Sequence, residues 1–217
     1  EPVFALLSEG LLELWLSSRL PAVTVPANTT TAIKYLPTTL TSLRMDAPTE
    51  PLSEDQMRAL PRGLRSLALP GVLPERLALL PPELTYFECN SPLGVWHTVS
   101  LPRTLKKLIA PVLGLSALPP ELEFLDCAVT FLNPNKWTPS IYPATLTEIR
   151  FNYFIQSSLA DSDVKGFPTT LRRLNLDGAP GLSIEGIRLL PTTLTSLKIG
   201  QRLEPLYDHH ISDFPPH

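Results

Sequence analysis

The apolar positions of this chain recur in one phrase, apolar-Pro-x-x-Leu-x-x-apolar-x-apolar. It reads LPTTLTSLRM from Leu36, LPRGLRSLAL from Leu60, LPPELTYFEC from Leu80 and LPRTLKKLIA from Leu101. It returns as LPPELEFLDC from Leu118, YPATLTEIRF from Tyr142, FPTTLRRLNL from Phe167 and LPTTLTSLKI from Leu190. A degenerate copy, LSEGLLELWL, starts at Leu7 with Ser8 in the proline slot, and Phe214-Pro215-Pro216-His217 opens another. The proline slots stand at 8, 37, 61, 81, 102, 119, 143, 168, 191 and 215, so successive copies lie 29, 24, 20, 21, 17, 24, 25, 23 and 24 residues apart.

Let the leucine after the proline be position 1, as Leu40 is in the second copy. Leu43 and Met45 then hold positions 4 and 6, the two-residue alternation of a strand with one buried face. A proline three residues before position 1 has no N–H for a ladder, so it belongs at the strand entrance. It also drives the residue before it toward extended backbone and ends any helix there. The connections have a register of their own. Leu52, Met57 and Leu60 fall at offsets 0, 5 and 8, as do Val72/Leu77/Leu80, Leu159/Val164/Phe167, Leu182/Ile187/Leu190 and Leu206/Ile211/Phe214. Ser53 with Gln56 is a capping-box pair, and Asp161 and Ser183 are candidate N-caps. These stretches predict helices of one or two turns, each closed by the next proline. Between Cys89 and Tyr142 the register fails, which predicts irregular connections.

Composition narrows the picture. Apolar residues make up 43% of the 217, enough for a sizeable core, and the 25 prolines punctuate a folded chain. A net charge of −3 gives no basic footprint for nucleic acid, and no apolar run reaches the length of a membrane helix. Cys89 and Cys127 are too few for a disulfide scaffold. Both hold inward position 6, two repeats apart, so roughly 10 Å separates them. That exceeds the ~7 Å limit for a disulfide. Reduced thiols, with no signal or membrane segment in the chain, favour an intracellular setting. The opening Glu1-Pro2 and the absence of polar caps at either end suggest a segment of a longer chain.

The phrase and its spacing resemble the leucine-rich-repeat family, whose core is L-x-x-L-x-L-x-x-N/C-x-L. The resemblance spans roughly residues 7 to 200, and the Pro-led form is similar to repeats of secreted bacterial effectors and to the FNIP repeats of amoebae. It implies a single α/β solenoid over 1–217, with a parallel sheet of about nine strands and short helices or loops on the convex side. One departure concerns the Asn of the family pattern, whose ladder satisfies the turn backbone. Its position falls here on Arg19, Pro48, Val72, Pro92, Leu113, Thr130, Phe154, Ala179 and Arg202. Other groups must therefore satisfy the turns.

Chemistry-bearing motifs are missing. The chain has no H-E-x-x-H, C-x-x-C, G-x-G-x-x-G, P-loop or G-x-S-x-G pattern. The neighbours Asp208, His209 and His210 read as a solvated loop, and His97 beside Trp96 as a loop residue. Glu54-Asp55 and Asp161/Asp163 sit where helix starts favour negative charge. Asn28-Thr29-Thr30 matches a glycosylation sequon. The reading has no catalytic residue, no metal ligand and no cofactor.

The concave face offers more. Positions 2, 3, 5 and 7 point outward from the strands. Tyr86, Ile109 and Phe124 form an expected apolar cluster on successive strands, flanked by Glu88 and Asp126, with Arg150 and Arg173 beyond. Exposed aromatics beside arginine are what interfaces use. The expectation is a non-catalytic module that binds a protein or peptide there, with neither nucleic acid nor membrane insertion involved. The alternatives are a structural subunit of a large assembly, or the recognition domain of an enzyme whose catalytic part lies elsewhere.

Overall fold

Eight of the phrases carry the same hydrogen bond. The N–H of the position-1 leucine donates to the carbonyl of the proline three residues earlier: Leu40 to Pro37, Leu64 to Pro61, Leu84 to Pro81, Leu105 to Pro102, and likewise for Leu122, Leu146, Leu171 and Leu194, at 3.0–3.4 Å. Pro-x-x-Leu is thus a β-turn whose first residue is proline, a position that needs a carbonyl acceptor and no N–H donor. A second turn often precedes it. The residue before the proline donates to the carbonyl three back, as in Leu36 to Ile33, Leu60 to Met57, Leu80 to Leu77, Phe167 to Val164 and Leu190 to Ile187. This is why offsets 5 and 8 recur: they are the two ends of one tight turn, and both point into the core.

The computed structural model describes residues 7–16, 33–46, 51–94, 97–111, 117–129, 142–154, 161–177 and 182–199. The sequon at Asn28, the Asp208–His210 group, Leu206/Ile211/Phe214 and the last phrase lie outside these residues. Nine strands are described, one per phrase. They are β1 (Glu13–Leu16), β2 (Ser42–Met45), β3 (Ser66–Leu69), β4 (Tyr86–Cys89), β5 (Lys107–Ile109), β6 (Phe124–Val129), β7 (Glu148–Phe154), β8 (Arg173–Leu176) and β9 (Ser196–Ile199). The chain divides into two compact units. The first is Glu1–Ser91 with Ser100–Leu105, and the second is Pro92–Val99 with Lys106–His217.

In the first unit β1 to β4 pair in chain order, all parallel, and like positions face each other: Leu43 opposite Leu14 and Leu67, and Leu67 opposite Phe87. In the second unit β5 to β9 do the same, with Leu108, Leu125, Ile149, Leu174 and Leu197 in one column. β6 and β7 shift register after Cys127, where one extra residue of β7 makes a bulge. Leu43, Leu67, Phe87, Leu108, Leu125, Ile149 and Leu174 are all buried, each contributing about 1.5–3 kcal/mol of transfer free energy. Phe151 and Phe167 stack at 6.2 Å, and Tyr142 meets Phe167 edge-on at 5.9 Å.

Three α-helices are described: α1 (Glu54–Arg58), α2 (Asp161–Val164) and α3 (Ile184–Arg188), each where the 0/5/8 register holds. The capping box of α1 is complete. Gln56 N donates to Ser53 Oγ at 3.3 Å, and Ser53 N donates to Gln56 Oε1 at 2.6 Å. Ser183 caps α3 by accepting from Gly186 N. Asp161 departs from the expected N-cap. It lies within α2, and its carboxylate accepts from the N–H (3.0 Å) and hydroxyl of Ser183 in the next repeat. Gly186 makes room for that carboxylate, because a Cβ there would sit 2.2 Å from Asp161 Oδ1.

The Val72/Leu77/Leu80 register holds a 3₁₀ turn (Pro74–Leu79) instead of an α-helix, with Pro74 in its first turn. Further 3₁₀ turns occur at Ile33–Tyr35 and Thr98–Ser100, outside the register. A single tight turn needs only one donor and one acceptor three residues apart, too little to leave a helical pattern.

A row of threonines stands one step before the strands. Thr39, Thr104, Thr145, Thr170 and Thr193 occupy the residue before position 1. Each donates its hydroxyl to the position-1 carbonyl of the preceding repeat, namely Leu11, Leu84, Leu122, Leu146 and Leu171, at 2.8–3.1 Å. At position 2, Thr41, Thr85, Thr147 and Thr195 donate likewise to Leu12, Arg65, Glu123 and Arg172. Threonine hydroxyls thus tie repeat to repeat at the strand entrances.

Candidate binding surface

Strand alternation sends positions 3 and 5 to the face opposite the core. The register lines them into rows, and the two units fill these rows differently.

On the first unit the position-5 row reads Trp15, Arg44, Ala68, Glu88. Arg44 and Glu88 are two strands apart, roughly 10 Å of backbone, yet Arg44 Nη1 reaches Glu88 Oε2 at 3.0 Å. The intervening residue is Ala68, small enough to pass beneath the bridge and only 6% exposed under it. Arg44 Nε also bonds Asp46 at 3.1 Å, and its guanidinium lies 5.8 Å from the Trp15 ring. Trp15 Nε1 donates to Asp46 Oδ2 at 3.0 Å, and the Tyr86 hydroxyl donates to Glu88 Oε2 at 2.6 Å. Burial would lower the pKa of Arg44, but Glu88 and Asp46 outweigh it and hold the guanidinium above its ordinary value. Tyr86 and Glu88, two of the sequence candidates, thus belong to a network organised by Arg44.

On the second unit the position-3 row is Lys107, Phe124, Glu148, Arg173, Ser196, and the position-5 row is Ile109, Asp126, Arg150, Asn175, Lys198. Ile109 sits opposite Asp126, so it meets Phe124 only on the diagonal. The organising residue is Glu148. Its side chain is 8% exposed, and both oxygens are taken: Arg150 Nε and Nη2 on Oε1 at 2.7 Å, Arg173 Nε on Oε2 at 2.5 Å. The two arginine side chains stay 48% and 61% exposed. The Arg150 guanidinium also lies over the Phe124 ring at 5.0 Å. Burial alone would raise the Glu148 carboxyl. The hydrogen bonds and charges of Arg173 and Arg150 overcome this and hold it below the usual carboxylate range.

Ile109, Phe124, Asp126, Arg150 and Arg173 therefore share one face of the second unit, and sequence reasoning missed Glu148 there, as it missed Arg44 on the first. Columns of aligned phrases hold the signal for both: Glu148 stands beside Arg173 at position 3, and Ala68 separates Arg44 from Glu88 at position 5.

Charge separates the faces too. Among the described outward residues of β1–β4 there are two cations, Arg44 and Arg65, against Glu13, Asp46 and Glu88, a net of −1. Those of β5–β9 carry six, Lys106, Lys107, Arg150, Arg172, Arg173 and Lys198, against Glu123, Asp126, Glu148 and Asp177, a net of +2.

The two cysteines hold inward position 6 as free, buried thiols, with Cys89 pushed up to about 12 by burial and Cys127 raised by the same cause. His97 serves its own loop, its Nδ1 accepting from Gly94 N at 2.9 Å.

No protein-family model matches the sequence, and no curated protein matches it. Solved structures do. One is the crystal structure of CroV588, described as a novel circular leucine-rich-repeat protein structure. It is 21% identical with a TM-score of 0.57 over 82% of this chain and 26% of that one. Another is the leucine-rich-repeat-containing protein LegL7 from Legionella pneumophila, 20% identical with a TM-score of 0.51 over 89% of this chain and 76% of that one. The chain spans about a quarter of the length of CroV588. With parallel strands, one to a phrase, and inward leucines in register, the fold of this chain is that of the leucine-rich-repeat proteins.

Proposed function

We propose that the chain is a non-catalytic module that binds a protein or peptide on its strand face, with the β5–β9 face as the principal surface. The observation that carries this reading is the outward Phe124 ring with Arg150 stacked on it, beside Ile109, Asp126 and Arg173. An aromatic held by a cation on a rigid sheet costs little side-chain entropy to bury, and such anchors carry about 2 kcal/mol or more of an interface.

A photo-crosslinking residue tests this at Lys107, on the strand face, and at Arg58, on α1. The face reading expects one discrete adduct from position 107, identified by mass spectrometry, that disappears with Phe124→Ala. Affinity for that partner should fall about tenfold or more. The melting temperature should move by no more than about 2–4 °C. Adducts from position 58 alone, indifferent to Phe124→Ala, would favour a structural subunit of a larger assembly.

A further inference from the structure

The chain is acidic overall, at −3, yet the described outward residues of β5–β9 carry a net of +2. Its centre is a built arrangement. Glu148 is buried between two arginines and spends both oxygens on them. Arg150 binds through its Nε/Nη2 edge and Arg173 through Nε. Arg150 Nη1 and both terminal nitrogens of Arg173 are left beyond these bonds, on side chains about half exposed or more. The buried carboxylate thus fixes two guanidinium groups side by side, and Asp126 lies opposite Arg150 on the neighbouring strand. The half-buried Phe124 ring lies beneath the Arg150 guanidinium, its remaining edge open beside the pair.

We infer that this clasp takes a carboxylate side chain of an acidic, extended peptide segment of a partner protein, with an apolar side chain of that segment on Phe124. The inference rests on the strand-face reading above and gives the partner its chemistry. Guanidinium forks bind carboxylates in bidentate fashion. Because Glu148 already orders both arginines, little conformational entropy remains to be lost on binding. Among the described residues of the first unit, Arg44 is spent between Glu88 and Asp46.

The test uses the intact chain against a displayed library of random linear peptides. The expected result is enrichment of peptides with Asp or Glu beside an apolar residue. A synthetic peptide of that kind should bind about tenfold or more weakly to Arg173→Gln and to Arg150→Gln. Arg173→Lys, which keeps the charge and loses the fork, should fall between. Replacing the peptide's Glu by Gln should weaken binding to the native chain and change little with Arg173→Gln, since the two losses are one interaction. Circular dichroism of each variant confirms folding. Acidic peptides indifferent to both arginines would overturn the clasp. So would a single-stranded oligonucleotide that binds more tightly than the peptide. Neutral peptides that need Phe124 would overturn the clasp and leave the strand face as the binding surface. A library yielding no peptide sensitive to Phe124→Ala or to either arginine would overturn both readings.

Discussion

The two units share a scaffold and differ most on the outward rows. Both use the Pro-x-x-Leu turn, the threonine ties and the leucine columns. On the first unit one cation is shared between two carboxylates: Arg44 reaches Asp46 and, over Ala68, Glu88. On the second, one carboxylate is shared between two cations, Glu148 beneath Arg150 and Arg173. The lesson is that repeats can hold backbone geometry constant while the outward residues set the sign of the surface charge. Which sign is left over depends on whether the central residue of the network is a base or an acid.

Removing one acid from each network gives the sharpest test of that comparison. Glu148→Gln leaves two neighbouring guanidinium groups without their buried acceptor and should cost about 2 kcal/mol in urea denaturation. Glu88→Gln, at a more open site, should cost about 0.5–1 kcal/mol. Equal losses would break the distinction. The pH dependence has a definite sign. The folded-state pKa of Glu148 lies below its unfolded value. Its stabilisation is therefore complete above the ordinary carboxylate range and is lost as pH falls through the depressed folded value. The native chain should lose stability there, and Glu148→Gln should flatten that part of the curve.

A smaller effect tests the shared scaffold. Thr104→Val in the first unit and Thr145→Val in the second each remove a hydroxyl that bridges two carbonyls of the preceding repeat. Each should cost about 1 kcal/mol. A clear inequality would show that the units differ beneath their faces as well as on them. The smallest expected effect concerns Ala68. A double-mutant cycle between Arg44 and Glu88 should give a coupling of about 0.5–1 kcal/mol. Repeated in an Ala68→Leu background, the coupling should vanish, because the larger side chain occupies the path of the bridge. Persistence of the coupling would mean that the two side chains meet by another route.

Fold and surface were not equally legible in the sequence. Leu43, Leu67, Phe87 and their equivalents declare the strands because burial demands the same kind of residue at the same position in each repeat. Ser53 with Gln56 declares a helix start because the capping box has fixed spacing. Asp161 misled because its carboxylate serves Ser183 of the next repeat, a partner 22 residues along the chain. The threonine ties were present in the letters of LPTTL, LPRTL, YPATL and FPTTL, but a hydroxyl facing a carbonyl of another repeat has no local pattern. Glu148 and Arg44 were hidden for a related reason. A charged residue at an outward position looks solvated until its cross-strand neighbours are set beside it.

The Pro-x-x-Leu turn has an evolutionary consequence. Each turn closes within its own phrase, so the strand register does not depend on what lies between phrases. Connections can therefore gain or lose residues, as spacings from 17 to 29 attest, without shifting any leucine out of its column. A lineage built this way can duplicate or drop a whole phrase and still present each new strand at the correct height. Surface charge then becomes a matter of point substitutions on an alphabet of interchangeable modules, and a change of partner requires no change of fold.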